Sequence, residues 1–418
     1  MMTQKTIERR NFILNVVEGA LFASSGPLLS AQTVLPALVA RLGGSNVAVG
    51  SLGLVMWMGL FLPQIFAARH VEMVPWKKPW AIGFGMAQRM MVLLMGFAVL
   101  LFGDRTPSHA LTLFFLFYTL NQLLLGVTTP GWFDLFAKLT PMRKRGRLIG
   151  IRGTVGGLGA LMCGTILTWL LAHEPFPINF TFVFALAFLL QSMSVFVQSF
   201  LIEVEPSPVV THHRSLAMYV RELVGVLRTN KPFSTFLVAA SVNVLAVMPA
   251  GFYTVYALHV FPAPEAIVGT FTLAMVVAQV SASLVTGFLT DKYGNKTALV
   301  VASFALLVAN LWSLLVPSVE LFVIVYVFLG VNLGTELLAR YNIAVEYAPA
   351  SQRATYVGLM NTLIAPFYAA GVMGGVLSTI FGYRLLFWIG LAASAVGVWM
   401  MIVKVKEPRT QDFTMPAK

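Results

Sequence analysis

The chain has 418 residues, of which 58% are hydrophobic and 11% are charged, whereas soluble domains carry about 25% charged residues. Its mean hydropathy is +0.82, so the composition excludes an ordinary soluble globular protein and predicts a membrane protein. The formal net charge is +12, which in a soluble protein would suggest nucleic-acid binding.

Twelve apolar runs are long enough to cross a bilayer as helices. A helix of about 20 apolar residues spans the hydrocarbon core, and it satisfies its own backbone hydrogen bonds there. The sequence therefore predicts an all-α polytopic membrane protein. The predicted spans cover residues 12–36, 47–68, 79–103, 110–137, 147–172, 178–202, 232–259, 266–290, 297–317, 319–341, 353–380 and 383–404.

The first run is predicted to remain as a transmembrane helix rather than to be removed as a signal peptide. It is longer than the apolar core of a signal peptide and it contains Glu18. A convincing small-residue cleavage site after a short apolar core is also lacking.

Lysine and arginine are distributed unequally between the two sides of the predicted helices. If the N-terminus is cytoplasmic, only Arg41, Arg105 and Arg384 fall outside, and the basic residues of all other connections fall inside. Cytoplasmic loops of membrane proteins carry such an excess. We therefore predict a multi-pass protein of the cytoplasmic (inner) membrane with both termini in the cytoplasm. This topology explains the net charge without nucleic-acid binding.

The longest polar connection, residues 203–231, separates six predicted spans from six. Its segment SLAMYVRELVGVLRT has apolar residues at helical spacing, which predicts a helix on the membrane surface. The predicted organisation is an N-terminal six-helix bundle at 1–202, a cytoplasmic linker at 203–231, a C-terminal six-helix bundle at 232–404 and a cytoplasmic tail at 405–418.

The two halves contain a weak internal repeat. The segment PMRKRGRLIG at 141–150 matches PASQRATYVG at 349–358 in a proline, an arginine and a glycine, at an offset of 208 residues. Both segments lie between the fourth and fifth spans of their half. An acid also precedes a lysine by five residues after the second span of each half, at Glu72 and Asp291. These matches favour two related six-helix units.

The stretch GFLTDKYGNK at 287–296 resembles the signature of the major facilitator superfamily of secondary transporters. That signature follows the second helix of a half and reads Gly, three residues, Asp, Arg or Lys, one residue, Gly, one residue, Arg or Lys. It is filled here by Gly287, Asp291, Lys292, Gly294 and Lys296. The resemblance covers nearly the whole chain and implies the fold of that family, two pseudo-symmetric six-helix bundles.

Two departures from the family pattern qualify the resemblance. The first half carries a degraded signature, because Glu72, Lys77 and Lys78 are present without the glycines. The fifth helix, with GTVGGLGALMCG, lacks the proline of the family's antiporters. The second departure argues against drug/proton antiport.

The resemblance implies a cytoplasmic gate. In the family fold the fifth helix of each half begins on the cytoplasmic side, beside the charged turn of the opposite half. We therefore expect Asp291 to face arginines of the first half, and Glu72 to face Arg353, in contacts that break when the protein opens inward. The alternative is a topological stop that holds a tight loop in water. The predicted gate residues are Gly287, Asp291, Lys292, Gly294, Lys296, Glu72, Lys77, Lys78, Arg145, Arg147, Arg152 and Arg353.

Ionisable residues within the spans are candidates for function, because each costs about 3 kcal/mol on insertion scales. Glu336 is the preferred functional acid, since helix ten lines the central cavity in the family fold, and it could bind a proton or a cationic substrate. Its alternative role is an internal salt bridge with Arg340, four residues later. Asp134 has the same spacing to Lys138, and this spacing places acid and base on one helix face.

Two further charged residues lie deeper in the first half. Glu18 is a candidate site residue in the first helix, with pairing to Arg9 or Arg10 as its structural alternative. Arg89 lies in the third helix, which is peripheral in the family fold. We expect Arg89 to bond a neighbour's polar group rather than to contact substrate.

Neutral polar and aromatic residues on spans one, four, seven, ten and eleven are weaker candidates for a cavity wall. Each could instead form a hydrogen bond between helices. They are Gln32, Asn121, Gln122, Asn243, Tyr253, Tyr256, Asn332, Asn361 and Tyr368.

A membrane enzyme is the rival class, and the sequence lacks its motifs. The six histidines form no HxxxH or HExxH cluster, and neither GxSxG nor GxxxxGK[ST] occurs. We therefore expect no catalysis, no metal and no cofactor. The predicted function is secondary active transport of a small molecule by alternating access, with proton coupling permitted, membrane lipids as surroundings and a monomeric state. The alternatives are a lipid or amphipath exporter and a transport-inactive sensor or partner subunit.

Overall fold

The computed structural model describes residues 3–207, 209, 225–261, 263–349 and 352–408. Every regular element within these ranges is a helix, and twelve helical segments are long and apolar enough to cross a membrane. The predicted all-α fold with twelve spans is therefore confirmed. We call the side of the membrane at which the first helix begins the near side, and the other the far side.

The first six spans contain seven α-helices, because the first span is interrupted. A 3-10 turn at Gly26–Leu29 follows α1, and Pro27 lies within that turn. Proline lacks the N–H that the helix needs and clashes with the preceding turn, so the helix breaks there. The helices are α1 (Gln4–Ser24), α2 (Val34–Arg41), α3 (Asn46–Glu72), α4 (Lys77–Phe102), α5 (Pro107–Leu139), α6 (Met142–His173) and α7 (Ile178–Ser199).

The last six spans contain two interruptions of the same kind. Pro249 lies between the two helices of the seventh span, and Pro366 lies in the 3-10 turn Ala365–Ala369 of the eleventh. The helices are α8 (Lys231–Ala246), α9 (Ala250–Val260), α10 (Ala266–Tyr293), α11 (Asn295–Leu315), α12 (Val319–Tyr347), α13 (Arg353–Ile364), α14 (Ala370–Phe381) and α15 (Tyr383–Val403).

The described residues cluster into two compact units. One comprises Met1–His213 with Gly251–Val276, and the other comprises Arg214–Ala250 with Val277–Lys418. The first unit thus includes α9 and the beginning of α10. The predicted division into bundles at 203–231 stays a prediction. Residues 225–229 of the predicted surface helix are helical, whereas residues 210–224 and the tail from 409 lie outside the described residues.

Two glycines 208 residues apart make equivalent helix–helix contacts in the two halves of the chain. Gly126 of α5 lies against the backbone of Leu60 in α3, and Gly334 of α12 lies against the backbone of Gln279 in α10. A Cβ at either position would collide with a carbonyl oxygen of the neighbouring helix. The fourth span of each half therefore crosses the second span of its half at a glycine, and glycine permits this close approach.

Candidate functional site

The signature turn leads into α11, and a carboxylate that is distant in sequence caps the N-terminus of this helix. Gly294 precedes α11 with φ at +85°, a conformation that glycine adopts without steric cost. The backbone N–H of Lys296 donates to Glu407 Oε2 at 3.0 Å, and Lys296 Nζ donates to the Ile402 carbonyl at 2.9 Å. A Cβ on Gly294 would collide with the Glu407 carboxylate. The carboxylate therefore satisfies donors that a helix leaves unpaired at its N-terminus.

The first half repeats this arrangement at the start of α4. The backbone N–H groups of Lys77 and Lys78 donate to the two carboxylate oxygens of Glu203 at 3.1 and 3.0 Å. Lys78 Nζ donates to the Leu201 carbonyl at 2.8 Å. Glu203 and Glu407 each follow the last span of their half, so one structural device occurs twice. Sequence reasoning missed both acids, and their only signal was this position in the chain.

Lys77 and Asp134 form an ion pair that local spacing did not predict. Lys77 Nζ lies 3.3 Å from Asp134 Oδ2, and the Lys77 side chain is 2% exposed. Lys77 Nζ also donates to the Val71 carbonyl. Lys138, which was expected to share a helix face with Asp134, contacts Glu203 Oε1 at 2.8 Å. Asp134 is therefore paired with Lys77 of α4, and Lys138 is paired with Glu203 in the connection after α7.

The predicted gate residues lie in differing local environments. Arg145 donates to the carbonyls of Ala137 and Thr140 at 2.5 and 3.1 Å, and so caps the end of α5. Lys292 places its ammonium 5.0 Å from the ring centre of Tyr293. Arg152 is partly buried, and five other predicted gate residues are exposed: Glu72, Arg147, Gly287, Asp291 and Arg353. The latch between halves stays a prediction.

Glu18 and Arg152 meet inside the first unit, 134 residues apart in sequence. Glu18 Oε2 lies 2.9 Å from Arg152 Nη1, and the two side chains are 4% and 15% exposed. Ser194 Oγ donates to Glu18 Oε1 at 3.4 Å. The Arg152 guanidinium lies 4.6 Å from the ring centre of Trp132. The structure thus pairs Glu18 with an arginine of the predicted gate, rather than with Arg9 or Arg10.

Arg89 of α4 is a second buried arginine that interacts with Glu18. Its Nη1 donates to the Gly85 carbonyl at 2.9 Å and to Gln88 Oε1 at 2.8 Å, and its Nε donates to the Gln191 carbonyl at 3.3 Å. Arg89 also interacts electrostatically with Glu18. Two neutral acceptors of its own helix and one of α7 therefore hold this guanidinium within the span, and Glu18 is its nearby carboxylate.

Glu336 and Arg340 form an ion pair within α12. Arg340 Nε lies 3.2 Å from Glu336 Oε1, and the side chains are 2% and 23% exposed. The Tyr368 hydroxyl of the eleventh span accepts a hydrogen bond from the Arg340 guanidinium. The four-residue spacing therefore predicted a contact that the structure contains.

Among the neutral candidates, two asparagines form hydrogen bonds between helices, and a third lies against a neighbouring helix. Asn121 Nδ2 donates to the Gln88 carbonyl at 2.9 Å, and Asn332 Nδ2 donates to the Ala302 carbonyl at 3.0 Å. Asn243 Nδ2 donates to Ala239 O at 3.2 Å, and its amide lies against Gly397 of α15. These three side chains are buried.

The other neutral candidates have more varied surroundings. Gln122 Nε2 donates to Asn121 Oδ1 at 3.3 Å. Tyr253 is buried, and the ring of Tyr256 meets Phe261 edge to face with centres 6.4 Å apart. Half-buried positions are occupied by Gln32, Asn361 and Tyr368.

The far side of the first unit contains polar contacts that the sequence did not indicate. The hydroxyls of Thr33 and Thr272 are hydrogen-bonded at 2.7 Å. Glu265 is held by Arg41 at 3.2 Å and by Asn179 Nδ2 at 3.2 Å. These contacts join α10 and the connection before it to the first span and to the start of α7.

No group of three or more His, Cys, Asp or Glu side chains that could hold a metal occurs among the described residues. The functional candidates are therefore ion pairs and hydrogen-bonded clusters: the capped turns, the Glu18 group and the Glu336 pair.

Comparison with known protein families gives matches over parts of the sequence. The model of the Major Facilitator Superfamily matches residues 258–416. An uncharacterised MFS-type transporter of Methanocaldococcus jannaschii is 31% identical over 137 residues, which cover 31% of this chain and 34% of that protein. The match therefore spans about a third of the relative's length.

Solved structures match nearly the whole chain in fold. A mutant of the nucleoside transporter NupG has a TM-score of 0.68 at 14% identity, covering 96% of this chain and 100% of that one. The D-xylose-proton symporter has 0.65 at 13% identity, covering 96% and 99%. A POT family transporter in complex with 5-aminolevulinic acid has 0.72 at 14% identity, covering 95% and 96%. These identities show the fold alone.

The match to the family model lies in the second half of the chain, and the fold matches extend to the six spans of the first half. The twelve apolar helices make the chain an integral multi-pass membrane protein. The signature turn lies within the part of the chain, residues 258–416, that matches the Major Facilitator Superfamily, and the fold of the transporters named above extends over nearly the whole chain.

Proposed function

We propose that the protein is a secondary active transporter that moves a small molecule across the cytoplasmic membrane by alternating access. The duplicated capped turn carries this proposal, because Glu203 and Glu407 hold equivalent helix starts in the two halves. Two related bundles are the architecture in which one half rocks against the other. The structural likeness to transporters over 96% of the chain supports the same function.

In the proposed mechanism, residues 1–202 and 232–404 move as two bodies. The distribution of the basic residues supports a cytoplasmic near side, with both termini in the cytoplasm. The charged turns at Glu72 and Asp291 act as the cytoplasmic latch. Opening to the far side requires α10 to separate from the first span, which breaks the Thr33–Thr272 hydrogen bond and the contacts of Glu265. The protein acts as a monomer in the lipid bilayer, and proton coupling is compatible with Glu336.

The first test of this function is a ligand screen by thermal denaturation of the detergent-purified protein. The panel contains polar metabolites and amphipaths at two pH values, with Glu336→Gln beside the wild type. Stabilisation by one class of compound identifies the cargo, and a weaker effect in Glu336→Gln assigns its site to α12. Stabilisation by amphipaths alone would favour the lipid exporter, and stabilisation by nothing would contradict transport of a small solute.

The second test restrains the proposed movement. Cys163 is the one cysteine of the chain, so Cys163→Ser provides a cysteine-free background. In that background Thr33→Cys with Thr272→Cys brings two thiols to positions where the hydroxyls are 2.7 Å apart, and a disulfide should form. We expect oxidation to stop uptake of the cargo into proteoliposomes and reduction to restore it. Each single cysteine variant is the control, and full uptake by the cross-linked protein would contradict alternating access.

A further inference from the structure

The Glu18 cluster, which we define as Glu18, Arg89, Arg152, Trp132 and Ser194, carries an excess of positive charge within the membrane. It contains two guanidinium groups and one carboxylate. The three charged residues lie about 15 to 21 Å along the helix axis from the starts of α1, α4 and α6, at a rise of about 1.5 Å per residue. All three helices begin on the near side. The helices begin a few residues before the predicted spans, so the charges lie within the near half of a hydrocarbon core of about 30 Å.

Arg152 is the member of the cluster with unused hydrogen-bonding capacity. A guanidinium has five N–H donors, and among the described residues the one polar contact of Arg152 is with Glu18. That contact is close but poorly aligned, because neither Arg152 Nη1 nor Glu18 Oε2 has a hydrogen bond of favourable geometry. Arg89, by contrast, donates to three neutral acceptors. The surplus charge and the surplus donors thus lie on the same side chain.

The surroundings of Arg152 are shaped to hold a guanidinium and leave it accessible. Gly19 lies directly beneath the Arg152 side chain, and a Cβ there would occupy the space of the guanidinium. The ring of Trp132 lies 4.6 Å from the guanidinium carbon. Arg152 is 15% exposed whereas Glu18 is 4% exposed. An incoming ligand would therefore meet the arginine and the indole before the carboxylate.

A buried cation without a matching anion is costly, and a bound anion removes that cost. We propose that Arg152 binds the carboxylate of a small monoanionic cargo, in competition with Glu18, while Trp132 contacts the apolar part of the molecule. This inference rests on the proposed transport function. A carboxylate matches the guanidinium fork with two parallel hydrogen bonds. One added negative charge brings the net charge of the cluster to zero, so a dianion binds less favourably than a monoanion.

Glu18 can release Arg152 because it has a second cationic neighbour. Arg89 interacts with Glu18 electrostatically, and Ser194 donates a hydrogen bond to the same carboxylate. When a cargo carboxylate binds, it replaces Glu18 as the partner of Arg152 and can align its oxygens with the guanidinium. Glu18 keeps Arg89 and Ser194 as its partners. This exchange predicts that Glu18 and Arg152 have opposite effects on affinity for the cargo.

The test measures binding of monocarboxylates to the detergent-purified full chain by thermal shift and by titration. The probes are lactate, hexanoate and benzoate, each beside its neutral amide, with succinate as the dianion. We expect stabilisation by at least one monocarboxylate and none by its amide. Glu18→Gln removes the competitor and should lower the Kd by about tenfold. Arg152→Gln should abolish binding, and Arg152→Lys should weaken it, since lysine lacks the planar fork.

Matched variants separate binding from folding. Arg143→Gln removes an exposed arginine of the same helix, and we expect it to bind as the wild type does. If Arg152→Gln does not fold, Glu18→Gln with Arg152→Gln removes both partners of the closest ion pair and leaves Arg89 with its three neutral acceptors. This double variant should be stable and should not bind.

Three results would overturn the inference. The first is weaker monocarboxylate binding in Glu18→Gln, because the ion pair would then be a structural support. The second is stabilisation by neutral amides but by no carboxylate, which leaves the proposed transport function intact. The third is stabilisation by no small solute of any charge, which contradicts the proposed transport function as well.

Discussion

Glu407 and Gly294 meet at the start of α11, where the Glu407 carboxylate occupies the space that a side chain at position 294 would need. The carboxylate accepts the backbone N–H of Lys296 at 3.0 Å, so the second glycine of the signature makes room for a helix cap. The signature residues Gly294 and Lys296 therefore stabilise the start of a helix within their own half of the protein.

Replacing Gly294 by alanine should destabilise the protein, and the same change at Gly287 should not. Alanine at 294 would be forced to a φ of +85° and against Glu407, at a cost of about 1 to 3 kcal/mol. Gly287 has nothing within 4 Å of an added Cβ and lies inside α10, where alanine favours the helix. We expect a lower denaturation temperature in detergent for Gly294→Ala alone. Equal effects of the two substitutions would contradict the cap.

Glu203 should be as important to the first half as Glu407 is to the second. Glu203→Ala leaves the N–H groups of Lys77 and Lys78 and the ammonium of Lys138 without their carboxylate, and we expect a loss of about 3 kcal/mol. Glu205 is exposed two residues later, so Glu205→Ala is the control. A denaturation temperature for Glu203→Ala that equals the control would refute the duplicated device.

The two glycine crossings should be sensitive to a single methyl group. Gly126→Ala and Gly334→Ala each place a Cβ against a carbonyl oxygen of a neighbouring helix, and such overpacking costs about 1 to 3 kcal/mol. Gly153 of α6 has nothing within 4 Å of an added Cβ. Thermal denaturation of the three variants should therefore rank Gly153→Ala as the most stable. The prediction fails if Gly126→Ala and Gly334→Ala match it.

The proposed cytoplasmic latch makes a prediction at the opposite side of the protein. If Asp291 holds the near side closed, Asp291→Asn shifts the population toward the state with a closed far side. Disulfide formation between Thr33→Cys and Thr272→Cys in the Cys163→Ser background should then be faster than with Asp291 intact. Asp104→Asn, in the exposed connection after α4, is the control. An unchanged cross-linking rate in Asp291→Asn would eliminate the latch.

The candidate site was predictable where partners are close in sequence. Glu336 and Arg340 are one helical turn apart, so spacing alone placed them on one face, and the structure pairs them. Asp134 and Lys138 have the same spacing, but Lys77 and Glu203 offer these side chains partners from elsewhere in the chain. Spacing indicates which side chains are able to meet, and competing partners decide whether they do.

The sequence by itself determined the all-α class and the number of spans. In a bilayer each apolar segment must satisfy its backbone hydrogen bonds internally, so length and hydropathy suffice to identify a helix. Only the tertiary structure decided that Glu18 pairs with Arg152, that Glu203 and Glu407 cap helix starts, and that Gly126 and Gly334 mark helix crossings. These contacts join residues of different spans, and no local periodicity records which side chains of distant helices come together when the helices pack.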